Sequence, residues 1–353
     1  MVFFRADGNS NIGSGHIMRC LSIARGIRQG PSMDEVLFLT ADNSFSGAIH
    51  LAGITNHILH SDYRDLMPEL DQMKEFIKQY HPAAVFIDSY YVTDFYLRTL
   101  WDICRSAGAL LIYLDDLLAF AYPCDILINY SIYGAGKLSD YINLYERAGL
   151  KAPRFLLGLD YTPLREEFQG LPVRIVREPA ADIFVSTGGS DSLHITLQLL
   201  KEIIRQKLPY TFHVVIGGMN IDIDEIKLLV SNTDSTNIIL YQNVTEMAKL
   251  MQTCDLAISA AGSTLYELCA AQTPAITYVF ADNQIANAEK FKEDGIMEYA
   301  GDFRFHGPEM LDNIVDAVKT LMPDVNRRRL MAEKMRHIVD GKGAARIWKA
   351  IGK

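Results

Sequence analysis

The chain has 353 residues, of which 49% are hydrophobic and 22% charged, a composition typical of folded globular proteins and a length that suits two domains. Its formal net charge of −9 argues against nucleic acid as a partner, because phosphate-backbone binding needs a basic surface. The five cysteines are scattered without C-x-x-C spacing, which argues against a disulfide framework or a zinc site and favours reduced thiols in the cytoplasm. No apolar run approaches the roughly 18 residues of a membrane span, and the N-terminus lacks the pattern of a signal peptide. We therefore expect a cytoplasmic protein that does not enter the membrane.

Short apolar runs alternate with segments of helical periodicity along most of the chain. The first series of buried strands is predicted at 1–4, 35–41, 83–90, 109–116 and 125–130, with helices at 65–80 and 93–107 among them. The pattern breaks at 158–172, which is rich in Pro, Gly and charge, and restarts with strands at 182–189, 211–218, 237–243, 256–262 and 275–280. Near-continuous apolar strands separated by helices indicate parallel sheets covered on both faces.

Two such series separated by a linker predict an α/β protein of GT-B-like architecture, with two Rossmann-like domains whose parallel sheets face each other across a cleft. We place the N-terminal domain at 1–160, the C-terminal domain at 173–322, and capping helices at 323–353. Ligands of such folds bind beyond the carboxyl ends of the strands. The turns that follow the strands are therefore the places to search for chemistry.

The first turn contains "IGSGHIMR", in which glycines lead into His16 at the start of a helix. Glycines permit close backbone approach, and helix N-terminal amides favour negative charge. His16 is either a polar residue at a helix start or a general acid or base, since an unperturbed histidine titrates near pH 6.5. Arg19, one turn later, either contacts phosphate or sugar or forms a salt bridge. We count Asp7, Gly13, Gly15 and Arg19 as candidate substrate-binding residues.

A second turn, in "AAGSTLYELCAA" at 260–271, combines Gly262, Ser263 and Thr264 with Glu267. One interpretation is a capping box between Thr264 and Glu267. The other is that the helix N-terminus holds a diphosphate while the Glu267 carboxylate accepts hydrogen bonds from the two hydroxyls of a ribose. Downstream, the amides of Asn283 and Gln284 follow the next predicted strand and are suited to sugar hydroxyls.

Several runs together resemble the UDP-sugar hydrolases of pseudaminic acid biosynthesis, which remove UDP from 2,4-diacetamido-2,4,6-trideoxy-β-L-altropyranose. The matching runs are "RADGNSNIGSGHIMRCLSIA" (5–24), "IDSYYVT" (87–93), "YLDD" (113–116), "LLGLDYTPLREEF" (156–168), "VSTGGSD" (185–191) and "NVTEMAKLM" (243–251). The run 243–291 also resembles the nucleotide-binding half of GT-B UDP-sugar enzymes, including the UDP-N-acetylglucosamine transferase of peptidoglycan synthesis. The resemblance extends from about residue 2 to residue 300.

This resemblance implies a role for each matching residue. His16 would be the catalytic histidine that activates water, and Tyr90 would line the sugar site. The nucleotide would be held by several groups: Gly188 and Gly189 at the diphosphate, Val244 and Met247 at the uracil, Ser263 and Thr264 at phosphate, and Glu267 at the ribose. Asn283 with Gln284 would contact the sugar. Where many members of the family read Asp-His-Tyr, this chain has Asp88-Ser89-Tyr90, which leaves the identity of the hexose open.

We therefore expect a monomeric hydrolase that releases UDP from a UDP-linked 2,4-diacetamido-2,4,6-trideoxyhexose, with water attacking the anomeric carbon. Cleavage of the C–O bond with inversion at that carbon is what the resemblance implies. The alternative is a GT-B glycosyltransferase with a UDP-sugar donor. No cofactor and no metal are expected. We interpret Asp115-Asp116 as turn and cap residues, because the acidic metal-binding pairs of sugar-nucleotide transferases have D-x-D spacing and occur in a different fold.

Overall fold

The apolar runs of the sequence form two all-parallel sheets in the computed structural model, which describes residues 1–29, 35–233 and 237–352. The chain divides into two units. The first comprises Met1–Asn9, His16–Leu164 and the segment from Lys342 onwards, and the second comprises Ser10–Gly15 and Arg165–Gly341. The α/β class with two Rossmann-like domains is therefore as predicted.

The first unit is built on seven parallel strands in the order β3-β2-β1-β4-β5-β6-β7. They are β1 (Val2–Ala6), β2 (Val36–Thr40), β3 (Thr55–Ile58), β4 (Ala84–Asp88), β5 (Leu110–Leu114), β6 (Ile126–Asn129) and β7 (Arg154–Leu157). The accompanying helices are α1 (Gly15–Arg28), α2 (Ser46–Leu51), α3 (Leu70–Tyr80), α4 (Asp94–Ser106) and α5 (Leu138–Ala148). Phe4 of β1 stacks on Phe38 and Phe86 of the two neighbouring strands, at ring separations of 5.2 and 4.5 Å, so the core forms at the centre of the sheet.

The second unit has six parallel strands in the order β10-β9-β8-β11-β12-β13. They are β8 (Asp182–Ser186), β9 (Thr211–Val215), β10 (Ile238–Tyr241), β11 (Leu256–Ala260), β12 (Ala275–Val279) and β13 (Glu298–Asp302). Its helices are α6 (Ile195–Gln206), α7 (Ile223–Ser231), α8 (Met247–Thr253), α9 (Thr264–Ala271), α10 (Asp282–Glu293), α11 (Phe303–Leu321) and α12 (Val325–Met335). Helix α11 is kinked at His306, ahead of Pro308.

The last helix, α13 (Gly343–Ala350), belongs to the first unit rather than to the second. Ile347, Trp348 and Ile351 are buried in the hydrophobic core that contains Phe4 and Phe86. Helix α12 stays with the second unit, up to Gly341. The C-terminal helices thus stabilise two different cores. Of the described helices, none has both the length and the apolar character that a membrane span requires.

Each sheet reverses its strand order once, and this reversal decides where a ligand can bind. In the first sheet the order reverses between β1 and β4, and in the second between β8 and β11. Parallel sheets bind ligands at such a switch point, beyond the carboxyl ends of the two central strands. The turn before His16 follows β1, and the turn at Gly262 follows β11. The two turns selected from the sequence therefore each lie at the switch point of their own sheet.

Candidate functional site

In the first unit, His16 and Asp88 form a buried pair across the switch point. His16 is the second residue of α1, and Asp88 is the last residue of the adjacent strand β4. The His16 Nδ1 atom lies 2.6 Å from Asp88 Oδ1. His16 is 5% exposed and Asp88 1%. The register that pairs Ala6 with Asp88 brings the end of β4 beside the start of α1.

Arg19 determines the charge state of Asp88. Its Nε and Nη2 atoms donate to the two oxygens of Asp88, at 2.6 and 2.5 Å. Burial alone would raise the pKa of Asp88, but the Arg19 guanidinium and then His16 outweigh it and hold that pKa well below its usual range. Asp88 is therefore an ionised acceptor, and an ionised carboxylate can only accept. His16 Nδ1 therefore donates to Asp88, which leaves Nε2 as the ring nitrogen that can exchange a proton with a ligand.

The salt-bridge interpretation of Arg19 agrees with these contacts. Its Nη1 atom donates to Asp116 Oδ2 at 3.0 Å and to the Tyr130 hydroxyl at 3.2 Å, besides the two bonds to Asp88. Burial lowers the pKa of Arg19, but Asp88 outweighs that effect and raises it well above the ordinary value. The guanidinium is thus a permanent cation shared between two carboxylates, and its structural role is to hold them in place.

Tyr90 lies directly beside the histidine. Its ring packs edge-on against the His16 ring, with centroids 4.5 Å apart and an interplanar angle of 73°, and its hydroxyl donates to Asp116 Oδ2 at 2.9 Å. Burial, followed by the Asp116 charge, raises the pKa of Tyr90 well above its ordinary value. Tyr90 is therefore a neutral hydrogen-bond donor in this site.

Asp88 and Asp116 contact the residues around His16, and sequence reasoning did not select them as candidates. A signal for Asp88 was present, because it ends a buried strand that neighbours β1 at the reversal of strand order, but that order is known only from the structure. For Asp115 the turn interpretation is right, since its side chain accepts from the backbone amides of Leu117 and Leu118. For Asp116 that interpretation is wrong, since its side chain accepts from Arg19 and Tyr90 instead.

The remaining candidates of the first turn have different surroundings. Both oxygens of Asp7 are engaged, Oδ2 by Arg5 at 2.5 Å and Oδ1 by the amide of Ala41 at 2.7 Å, so Asp7 anchors the end of β1. Gly13 has a φ of +74°, which favours glycine, and a Cβ on Gly15 would meet no described atom within 4 Å. Their substrate-binding roles remain predictions.

Ser89 stands at the position where many of the UDP-sugar hydrolases that the sequence resembles have histidine, and it stabilises the turn in which it lies. Its hydroxyl accepts from the amide of Tyr91 at 3.1 Å, and its carbonyl accepts from the Tyr113 hydroxyl at 2.9 Å. Ser89 is buried. Its side chain therefore supports the turn that carries Tyr90.

In the second unit, Glu267 pairs with Arg165, which lies in the segment 158–172 where the strand pattern breaks. Arg165 Nε donates to Glu267 Oε1 at 2.8 Å, and its Nη1 lies 2.9 Å from Glu167 Oε1. Glu167 Oε2 in turn accepts from the amide of Ala248 near the start of α8. The capping-box alternative for Thr264 and Glu267 is wrong, because the Glu267 carboxylate is drawn to the guanidinium and α9 has no side-chain cap.

The N-terminus of α9 has no side-chain cap and has open space beside it. Ser263 is exposed and its side chain makes no cap hydrogen bond, and a Cβ on Gly262 would meet no described atom within 4 Å. Thr264 is the first residue of the helix and is half-buried. Uncapped amides at a helix N-terminus favour an anion, so this turn is suited to a phosphate group.

The N-terminus of α6, which follows Gly188 and Gly189, is already capped. The Asp191 carboxylate accepts from the amides of Ile195 and Thr196, at 2.8 and 2.7 Å. A second anion there would meet a negative charge. The backbone at Gly188, which has a φ of +96°, and at Gly189 can therefore come close to a ligand. The N-terminal amides of α6 are not available to bind its negative charge, because Asp191 already binds them.

The other four candidates of the second unit lie after β10 and β12. Val244 and Met247 are half-buried in the turn leading into α8 and at its first residue. Gln284 is buried in the first turn of α10, where its Oε1 atom accepts from the amide of Phe280 at 2.9 Å, so its NH₂ group remains as a donor. Asn283 is half-buried beside it. Contacts of these residues with uracil or sugar remain predictions.

The fold and part of the sequence have recognisable relatives. Residues 183–342 match the model of the glycosyltransferase family 28 C-terminal domain. Among solved structures, MurG of Acinetobacter baumannii is similar with a TM-score of 0.65 at 15% identity, over 99% of this chain and 98% of that one. This likeness concerns the fold alone, and it defines the GT-B class predicted from the sequence.

More specific similarity is found among sequence relatives. The UDP-2,4-diacetamido-2,4,6-trideoxy-beta-L-altropyranose hydrolase of Campylobacter jejuni is 26% identical over 79% of this chain and 92% of its own length. An uncharacterized protein of Methanocaldococcus jannaschii is also 26% identical, over 74% of this chain but 52% of its own length, so the match spans about half of that protein. The resemblance noted in the sequence is confirmed by these similarities.

Proposed function

We propose that the protein is an enzyme acting on UDP-sugars, and that it hydrolyses a UDP-linked 2,4-diacetamido-2,4,6-trideoxyhexose to UDP and the free sugar. The observation that carries the proposal is the His16–Asp88 pair, with Nδ1 bound to an ionised carboxylate at 2.6 Å. A histidine held in this tautomer is prepared to accept a proton on Nε2. Similarity to the Campylobacter jejuni hydrolase supports the choice of substrate.

In the proposed reaction, the oxygen of water attacks the anomeric carbon and its proton passes to Nε2 of His16. The bond between the anomeric carbon and the β-phosphate oxygen breaks, and its electron pair leaves with UDP. The imidazolium that forms is stabilised by Asp88. General base catalysis of this kind contributes about 10²–10⁴-fold.

The second unit would bind the UDP moiety. The uncapped N-terminus of α9 would face the diphosphate, where preorganised amides stabilise the charge that develops on the leaving group. Glu267 has its Oε1 atom fixed by Arg165 at 2.8 Å, which holds the carboxylate in one orientation for the ribose hydroxyls. Binding of the nucleotide thus relies on groups other than those that act on water.

The alternative is a glycosyltransferase, in which a hydroxyl acceptor replaces water at the same histidine. The match of residues 183–342 to the glycosyltransferase family 28 domain favours it. Incubation of the protein with the UDP-sugar and no acceptor distinguishes the two. We expect stoichiometric release of UDP, whereas release that requires an added acceptor would support the transferase.

The role of His16 is tested by His16→Ala. We expect turnover to fall by at least about 10²-fold, as for other general bases, while the Kd for UDP measured by calorimetry stays within a few fold. Undiminished turnover would remove His16 from the mechanism.

The UDP site is tested by Glu267→Ala. Loss of charge-assisted hydrogen bonds to the ribose should weaken UDP binding by about 1–3 kcal/mol. The control is Glu246→Ala, since Glu246 lies next to Met247 but is exposed, with its carboxylate 3.5 Å from Lys249 Nζ. Unchanged UDP affinity in Glu267→Ala would contradict the assignment.

A further inference from the structure

One oxygen of the first-unit site has no partner. Asp116 Oδ1 is buried, and no donor among the described residues lies within hydrogen-bond distance of it. A buried acceptor without a partner is destabilising, more so when it is charged, and native structures contain few of them. The atom therefore calls for an explanation in terms of what it binds.

The neighbouring carboxylate shows that this is not a general property of the turn. The Asp115 side chain accepts from the amides of Leu117 and Leu118, and from the Tyr141 hydroxyl at 2.5 Å. The two adjacent side chains differ in their partners, because the Asp115 carboxylate accepts from its own turn and from α5, whereas the Asp116 carboxylate accepts from residues around His16. The unpartnered oxygen thus belongs to the site and not to the turn.

Asp116 is held so that only Oδ1 is left for another group. Its Oδ2 atom accepts from Arg19 at 3.0 Å and from Tyr90 at 2.9 Å, and its backbone carbonyl accepts from the Tyr133 hydroxyl at 3.0 Å. Tyr90 packs against His16. A group that binds Oδ1 is therefore placed next to the residues proposed to act on the sugar.

The charges around Oδ1 select the chemistry of that group. Two carboxylates, Asp88 and Asp116, share the single guanidinium of Arg19, so a hydrogen-bond donor is favoured and a phosphate would be repelled. An ammonium group on Oδ1 would share the carboxylate with a second cation, because the Arg19 guanidinium already binds Oδ2 at 3.0 Å. A neutral N–H or O–H donor satisfies both conditions.

We propose that Asp116 is a specificity-determining residue, which accepts through Oδ1 a hydrogen bond from an amide N–H or a hydroxyl of the sugar. This inference rests on the proposed function. A buried charged acceptor discriminates against a sugar that lacks the donor, because the acceptor is then left unpaired. The expected discrimination is roughly 10–100-fold.

Binding measurements test the inference without relying on turnover. In a His16→Ala background, calorimetry gives the Kd of UDP and of the intact UDP-diacetamido sugar, and their ratio isolates the contribution of the sugar. Asp116→Asn places either an NH₂ group or a neutral oxygen at the Oδ1 position. We expect it to weaken binding of the UDP-sugar by roughly 10–100-fold and to leave the Kd of UDP unchanged within about twofold.

Two controls separate recognition from structure. Asp115→Asn removes a carboxylate from the same turn and should alter the melting temperature without changing the ratio of the two Kd values. A UDP-sugar analogue lacking the recognised donor should bind Asp116→Asn at least as tightly as the wild type, because the acceptor left unpaired is then neutral. Weakened binding of UDP and UDP-sugar by the same factor in Asp116→Asn would show a structural role and overturn the inference.

The outcomes also separate this inference from the proposed function. Release of UDP by the wild-type protein together with an unaltered Kd ratio in Asp116→Asn contradicts the inference alone. Binding of the UDP-sugar that depends on Asp116, without hydrolysis, contradicts the hydrolase proposal alone. If neither UDP nor the UDP-sugar binds, both are wrong.

Discussion

At the scale of single residues, the first-unit site depends on Asp88, because it contacts both His16 and Arg19. The arginine keeps the carboxylate ionised, and the ionised carboxylate fixes the tautomer of the histidine. Replacing a whole buried ion pair by apolar groups can be neutral, but removing one partner leaves the other charge buried and unpaired. We therefore expect Asp88→Asn to lower stability as well as turnover, so its kcat is measured under conditions in which the variant is folded.

Asp88→Asn should reduce kcat on the order of 10²–10⁴-fold, because a neutral amide no longer stabilises the imidazolium or enforces the tautomer. The kcat is measured from UDP release at neutral pH, with UDP affinity as a check on the second unit. The control is Ser89→Ala, which removes a hydrogen bond to the amide of Tyr91 next to Asp88 but leaves the His16–Asp88 pair intact, and its kcat should fall much less than that of Asp88→Asn. A kcat of Asp88→Asn within threefold of wild type would argue against the dyad.

The low pKa of Asp88 also predicts a dependence of stability on pH. Below about pH 4, where unfolded aspartate takes up a proton, native Asp88 still carries its charge, because Arg19 and His16 hold its pKa low against the effect of burial. The unfolded state then binds more protons, so the stability contribution is present above pH 4 and is lost as the pH falls. Denaturant unfolding from pH 6 to pH 2 should show a steeper decline for the wild type than for Asp88→Asn. Equal slopes would contradict this assignment.

At the scale of elements, two helix N-termini of the second unit follow the switch-point strands, yet they differ in what they can bind. Helix α6 is capped by Asp191, whereas α9 has no side-chain cap. The turn after β8 is nevertheless closely packed. A Cβ on Gly217 would lie 2.3 Å from the carbonyl oxygen of Gly188 and 2.4 Å from that of Gly189. Gly217 therefore maintains the shape of this turn.

Gly217→Ala should destabilise the protein by about 1–3 kcal/mol, since backbone atoms must move to relieve the overlap. The matched control is Gly218→Ala, where a Cβ would meet no described atom within 4 Å and the change should stay within about 0.5 kcal/mol. Chemical denaturation measures both. Equal stability of the two variants would show that the turn adapts freely.

At the scale of the whole molecule, the last helix completes the core of the first unit although it is distant in sequence. Ile347→Ala should cost about 2–5 kcal/mol through the cavity it leaves, because Ile347 is fully buried in that core. Lys349→Ala, on the exposed face of the same helix, should have little effect. Thermal unfolding of the two variants tests this, and similar melting temperatures would contradict the packing of α13.

The sequence was sufficient for the central strands and for the edge strand β10, and insufficient for the other three edge strands. Strands such as β4 and β11 are continuous apolar runs because both of their faces are covered. The edge strands β3, β7 and β13 were not predicted, because they are partly exposed and have no such run. Edge strands bury less surface, so their sequences are less restricted.

The candidate site residues also divide into those that local sequence indicates and those that only the fold brings together. His16 and Glu267 were found because each lies at a glycine-containing turn before a helix. Asp88 and Asp116 come from the ends of other strands, and their pairing with Arg19 depends on the order of strands in the sheet. Local sequence could not supply that order, since it is a long-range property of the fold.

The central claim is that water attacks the anomeric carbon of a UDP-sugar with His16 as the base. It is tested most directly by incubating the protein with the UDP-linked diacetamido-trideoxyhexose in ¹⁸O-labelled water, without any acceptor, and analysing both products by mass spectrometry. We expect one ¹⁸O atom in the released sugar, unlabelled UDP, and at least about 10²-fold slower formation of both products in His16→Ala. Label in the UDP, or no UDP release until an acceptor is added, would contradict it.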